Sequence, residues 1–208
     1  MFIRSTTIDG DPRRIDEAIA FVRQHVLPAV PRLPGSLGTL LLVNRVDGRT
    51  VTCTGWRSAA ALRDSVDALG SARDKTARIL GGAATVEHWE VAERLRLRRA
   101  EAGFAARWTR LQIRPADVDM LVETFRTSAA PALSLLPGFC GTALLVDRPA
   151  GRAVTSVTCD SRRSLEDGRR EAARTRQVLL DKADAVAVEV VESEVALAAF
   201  YQPPNPTS

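Results

Sequence analysis

Any chemistry in this chain has to come from few residues. The histidines are His25 and His88, and the cysteines are Cys53, Cys140 and Cys159. The cysteines are too few and too scattered for a zinc site or a disulfide framework, and read as small buried hydrophobes in a reducing compartment. His25 falls near the end of a predicted helix, where a cation meets the helix dipole favourably. His88 lies beside Trp89 in a predicted strand. Both histidines read as structural. Asn44 and Arg45 end a predicted strand. An amide there could orient a substrate carbonyl or hydroxyl in an apolar pocket, or it could simply start a turn. Arg45, with Arg49 beyond the turn, either pairs with local acids or gates a pocket for an anionic substrate. No nucleophile-and-base arrangement, paired carboxylates or phosphate loop is visible. Gly35-x-x-Gly38 precedes a strand and not a helix, so it is no nucleotide fingerprint.

These residues belong to a unit that occurs twice. Leu33–Ser65 aligns without a gap on Leu136–Gly168, shifted by 103 residues, and 16 of the 33 positions are identical. Leu33-Pro34-Gly35-x-x-Gly38-Thr39 matches Leu136-Pro137-Gly138-x-x-Gly141-Thr142. Asn44 aligns with Asp147, Arg45 with Arg148, Arg49 with Arg152, and Asp64 with Asp167. Two copies of this length mean two similar domains, 1–103 and 104–208, and not a solenoid of short repeats.

Each copy reads β-α-β-β-α-β. A strand (Phe2–Ile8, Arg107–Ile113) leads to a helix whose apolar positions recur at helical spacing: Ile15, Ala18, Ile19, Val22 and Val26, then Val118, Leu121, Val122 and Phe125. A hairpin follows over Gly38–Arg45 and Thr50–Trp56, joined through Asp47-Gly48. Gly48 and Gly151 align, as a position of positive φ demands. Ser58 and Ser161 are N-caps of a second helix, and Ala83–Val91 and Ala185–Glu192 are last strands. The segment 93–106 reads as a helix-prone, solvated connector, and Tyr201–Ser208 as a loose tail. The fold class is therefore α+β, with two tandem ferredoxin-like βαββαβ units. Each unit leaves one sheet face open, and packing sheet on sheet covers it as an intramolecular pseudo-dimer.

Composition narrows the function. Hydrophobic residues at 45% and charged residues at 26% are ordinary for a globular chain. No apolar run has membrane-helix length, and the start has no signal-like stretch, so a cytoplasmic location without membrane partners is expected. The net charge of +4 is almost all arginine, interleaved with acids and poor in aromatics, which argues against a nucleic-acid partner.

The segment Thr54-Gly55-Trp56-Arg57-Ser58-Ala59-Ala60-Ala61-Leu62 resembles the antibiotic-biosynthesis-monooxygenase family of the dimeric α+β barrel superfamily. There a tryptophan ends the third strand, followed by a short polar cap and an Ala-Leu helix start. The resemblance implies an intramolecular dimeric α+β barrel and a cofactor-independent monooxygenase acting on a small aromatic or polyketide-like molecule, with no metal. It also implies that Trp56 lines a substrate pocket, with Asn44 and Arg45 as further candidates; copy two has Cys159 where copy one has Trp56. The alternative is a non-catalytic protein on the same scaffold, structural or binding a small hydrophobic ligand, either a monomeric pseudo-dimer or a homodimer. Haem-degrading relatives carry an iron-binding histidine on the second helix. Neither 58–80 nor 161–182 contains one, which leaves only His25 or His88 for haem.

Overall fold

The computed structural model describes residues 1–201. In the first copy, β1 (Phe2–Asp9) leads to α1 (Ile15–Phe21), β2 (Ser36–Asn44), β3 (Arg49–Trp56), α2 (Ala59–Asp64), α3 (Gly70–Leu80) and β4 (Ala84–Arg96). In the second, β5 (Ala105–Gln112) leads to α4 (Val118–Thr124), α5 (Ala130–Leu133), β6 (Phe139–Asp147), β7 (Arg152–Cys159), α6 (Arg162–Asp167), α7 (Arg169–Ala183) and β8 (Val186–Phe200). The α+β class and the two βαββαβ units are as the sequence predicts. Hydrogen bonding gives the strand order β4-β1-β3-β2-β8 around the first copy and β8-β5-β7-β6-β4 around the second.

The local rules account for the shared geometry. At Gly48 φ is 70° and at Gly151 it is 60°. A Cβ at Gly48 would stand 2.0 Å from the Gly10 carbonyl oxygen, and one at Gly151 would stand 2.1 Å from that of Ile113. Only glycine fits either turn. Ser58 accepts from the Ala61 amide and Ser161 from the Ser164 amide, both at 3.1 Å, as N-caps do. The first helix of copy one ends in a π turn, Val22–Val26, and in copy two the π turn Phe125–Ala129 runs straight into α5. Pro28 and Pro131 follow two residues after these turns. A proline ring crowds the carbonyl four residues back, and opening the helix to an i→i+5 bond relieves it.

Two compact units result. One comprises Met1–Trp89 with the chain end from Val195, and the other comprises Glu90–Glu194. The first has its core between sheet and helices, around Ile8, Ile15, Leu41, Trp56 and Leu80. The core of the second gathers Leu111, Leu121, Phe125, Leu144 and Leu165. These units do not follow the repeat boundary, because each of the long strands β4 and β8 gives its two ends to different units.

Three expectations need correction. The connector is not helical: β4 runs on to Arg96, and Glu93, Arg94 and Leu95 pair with Leu144, Ala143 and Thr142 of β6. The edge of β6 supplies backbone partners that local propensity could not anticipate. The second helix of the first copy is not continuous. It breaks after Asp64, where the Ser65 hydroxyl donates back to the Leu62 carbonyl, before α3 begins at Gly70. Tyr201 is not loose: its amide donates to the Leu37 carbonyl at 3.0 Å and its hydroxyl lies 3.2 Å from Thr39 Oγ1. The rest of the expected tail lies outside the described residues. No helix among those described is long and apolar enough to cross a membrane.

Candidate functional site

Each copy holds a recess between its sheet and its helices. In the first copy, Arg4, Thr6 and Ile8 enter it from β1, and Thr52 and Thr54 from β3. Val22 and Val26 of the π turn and Ala72, Arg73 and Thr76 of α3 close the other side. Alternation along β1 puts Arg4 on the same face as Ile8. The recess measures about 40 Å³. The second copy repeats it with Arg107, Thr109, Thr155, Val157 and Phe125, at about 30 Å³. With a shift of 103, Arg4 matches Arg107, Val22 matches Phe125, Thr54 matches Val157 and Thr76 matches Leu179. Each recess is lined by four hydroxyl-bearing side chains, Thr6, Thr52, Thr54 and Thr76 in the first and Thr109, Thr155, Ser156 and Thr175 in the second, and the second is partly filled by an aromatic ring.

The two arginines are nearly out of water, Arg4 at 3% and Arg107 at 5% exposure. Both tie the first strand of their copy to the last turn of the helix after the hairpin, α2 or α6: Nη2 of Arg4 donates to the Leu62 carbonyl, and Nη2 of Arg107 to the aligned Leu165 carbonyl at 2.9 Å. Carbonyls at a helix C-terminus lack intrahelical partners and favour a cation. Beyond this the copies part. Arg107 lies opposite Glu192 in the β5–β8 register, and its Nε and Nη2 donate to Glu192 Oε1 at 2.9 and 2.7 Å. Arg169 also donates to Glu192, at 2.8 Å. Burial pushes the Glu192 carboxyl up, but the hydrogen bonds from Arg169 and Arg107 outweigh it and hold the group below its ordinary value.

Arg4 has no carboxylate partner among the described residues. Its guanidinium stands over the Trp56 ring, 5.7 Å from the centroid. Its Nη1 donates to the Ser65 carbonyl and its Nε to His88 Nε2, each at 3.4 Å. Burial, and then the nearby charge of Arg73, lower the Arg4 pKa. Burial, and then the charge of Arg4, lower that of His88. Neutral imidazole is therefore favoured, as an accepting Nε2 requires.

The residues singled out in the sequence are not gathered at the recess. Trp56 is fully buried in the core, with its indole N–H on Thr54 Oγ1 at 3.0 Å, and meets the recess only through Thr54 and Arg4. Asn44 starts the hairpin turn: its Oδ1 accepts from the amides of Val46 and Asp47 at 2.9 and 3.2 Å. Arg45 pairs with Asp16 at 2.9 Å. His25 packs beside Phe21, with ring centroids 4.5 Å apart. Burial pushes the Cys159 thiol up to about 11, so it is no thiolate near neutrality. Among the described residues, no three His, Cys, Asp or Glu side chains gather as metal ligands. What the sequence reading missed is the arginine pair. Its signal was available: an arginine on the inward alternation of the first strand in both copies, 103 residues apart.

Two ferredoxin-like units, each with a recess under its helical layer, define a duplicated α+β chain. No family model matches it. It is 36% identical over 203 residues to the uncharacterized protein Rv2557 of Mycobacterium tuberculosis, covering 98% of this chain and 91% of that one, and it belongs to the same family. Among solved structures, an anthrone oxidase-like protein superposes with a TM-score of 0.66 at 16% identity, covering 96% of this chain and 92% of the other. A ferredoxin fold protein from Listeria monocytogenes, related to antibiotic biosynthesis monooxygenases, gives 0.55 at 10% identity, covering 94% of each. The shared property is the fold.

Proposed function

We propose that the chain binds a small, partly apolar molecule in the recess of its first copy. The observation that carries this reading is Arg4, a buried cation on the wall of a hydroxyl-lined recess whose counterpart in the second copy is neutralised by Glu192. Ligand sites combine apolar walls with a few placed polar groups, and Ile8, Val22 and Leu69 supply the walls here. A volume of about 40 Å³ holds only a few waters, so a larger ligand displaces the helical wall on entry. Titration with small aromatic compounds, followed by thermal shift, tests the site. Val22→Phe installs the residue that fills the second recess, and loss of binding in that variant is expected. Unchanged binding places the ligand elsewhere.

A second reading is cofactor-independent oxygenation of a small aromatic or polyketide-like molecule. Arg4 favours it, because a desolvated cation stabilises the phenolate or enolate that must form before reaction with dioxygen. Oxygen uptake with an electron-rich phenol or anthrone, lost in Val22→Phe, supports catalysis. Binding without uptake leaves a ligand-binding protein.

A further inference from the structure

Resting on the recess as a ligand site, we infer that its ligand is a small organic carboxylate, which supplies to Arg4 the negative charge that Glu192 supplies to Arg107. The duplicated copy is the control. Both arginines have the same helix-end carbonyl, from Leu62 and Leu165. In the second copy that carbonyl is not the end of the matter, since Glu192 is also in place at 2.7 Å. A buried charge is stable when it is paired and hydrogen-bonded. In the first copy the corresponding Nε contact is the uncharged Nε2 of His88, and the Trp56 face carries no net charge.

Arg4 retains donors to offer. A guanidinium has five N–H groups, and three are used, on His88, Ser65 and Leu62, which leaves two. Arg73, at 25% side-chain exposure, adds a second cation on the same wall, with Asp74 3.7 Å away. Spare guanidinium donors suit a planar carboxylate, and the apolar wall suits an organic body more than an inorganic anion.

Benzoate and its uncharged isostere benzamide are the probes, titrated calorimetrically into the full chain and into Val22→Phe and His88→Glu. His88 is exposed on β4, so H88E tests charge without emptying the core; circular dichroism verifies its fold. Benzoate is expected to bind about tenfold or more tightly than benzamide, and H88E, which gives Arg4 an internal carboxylate, to weaken benzoate by about tenfold or more. Equal binding of the two probes, lost in V22F, overturns the carboxylate inference and leaves the recess as a site. Benzoate binding that H88E does not weaken also overturns it. Failure of both probes to bind at millimolar concentration removes the inference, while V22F-sensitive binding of an uncharged aromatic such as phenol then still distinguishes a neutral ligand site from none.

Discussion

The two copies hold the same arginine in the same strand against the same helix end, yet balance its charge in opposite ways. Copy two uses an ion pair, Arg107 with Glu192, and fills the space beside it with Phe125. Copy one sets Arg4 over an indole ring, leaves the smaller Val22 at the aligned place, and keeps Thr54 and Thr76 where copy two has Val157 and Leu179. The strand-to-helix tie is thus independent of how the charge is met. A duplicated scaffold can keep the tie in both copies, neutralise one recess and leave the other with an attraction for negative charge.

The comparison breaks most severely at Trp56. Trp56→Ala empties a fully buried site and removes the ring under Arg4, at a cost of about 3–5 kcal/mol in chemical denaturation. Cys159→Ala at the aligned position costs about 1 kcal/mol. Equal losses would show that the indole is not what distinguishes the copies. Next comes Glu192→Ala, which strands Arg107 and costs about 3 kcal/mol, against less than about 1 kcal/mol for the exposed His88→Ala. Matching costs would mean that His88 and Glu192 do the same work.

The smallest effect is a difference in pH response. The folded His88 pKa lies below the ordinary 6.5, so between the two values the unfolded chain binds more protons, and stability falls as pH drops below about 6.5. The folded Glu192 pKa lies below 4.5, so its contribution is complete above that value and is lost only as pH falls further. Denaturation midpoints from pH 7 to 3 should show both phases, with the upper one absent in His88→Gln and the lower one reduced in Glu192→Gln, where Asp11, held down at about 2 by its hydrogen bonds from Arg13, still contributes. An upper phase that persists in His88→Gln belongs to another group.

The sequence made the βαββαβ order legible through its repeat, and the turns through Gly48, Gly151, Ser58 and Ser161, because these features are local. The strand ending of segment 93–106 was not legible, since it depends on a distant edge in β6. The recess was hidden for a related reason: its walls come from β1, β3, the π turn and α3, which no short motif joins. Trp56 stood out by type, but its contribution runs through the guanidinium it supports. Arg4 could have been found by extending the repeat alignment back to the first strand and asking why an inward position carries a charge in both copies.

The crossed membership of β4 and β8 has a consequence for synthesis. The unit Glu90–Glu194 is one uninterrupted stretch, whereas the unit that begins at Met1 needs Ala196, Leu197 and Tyr201 for its core. A ribosome therefore delivers the whole of the later unit before the last strand of the earlier one. The usual vectorial order, with the amino-terminal domain finished first, is inverted here. The core of the unit that holds the candidate ligand site is closed only once Ala196, Leu197 and Tyr201 have been made.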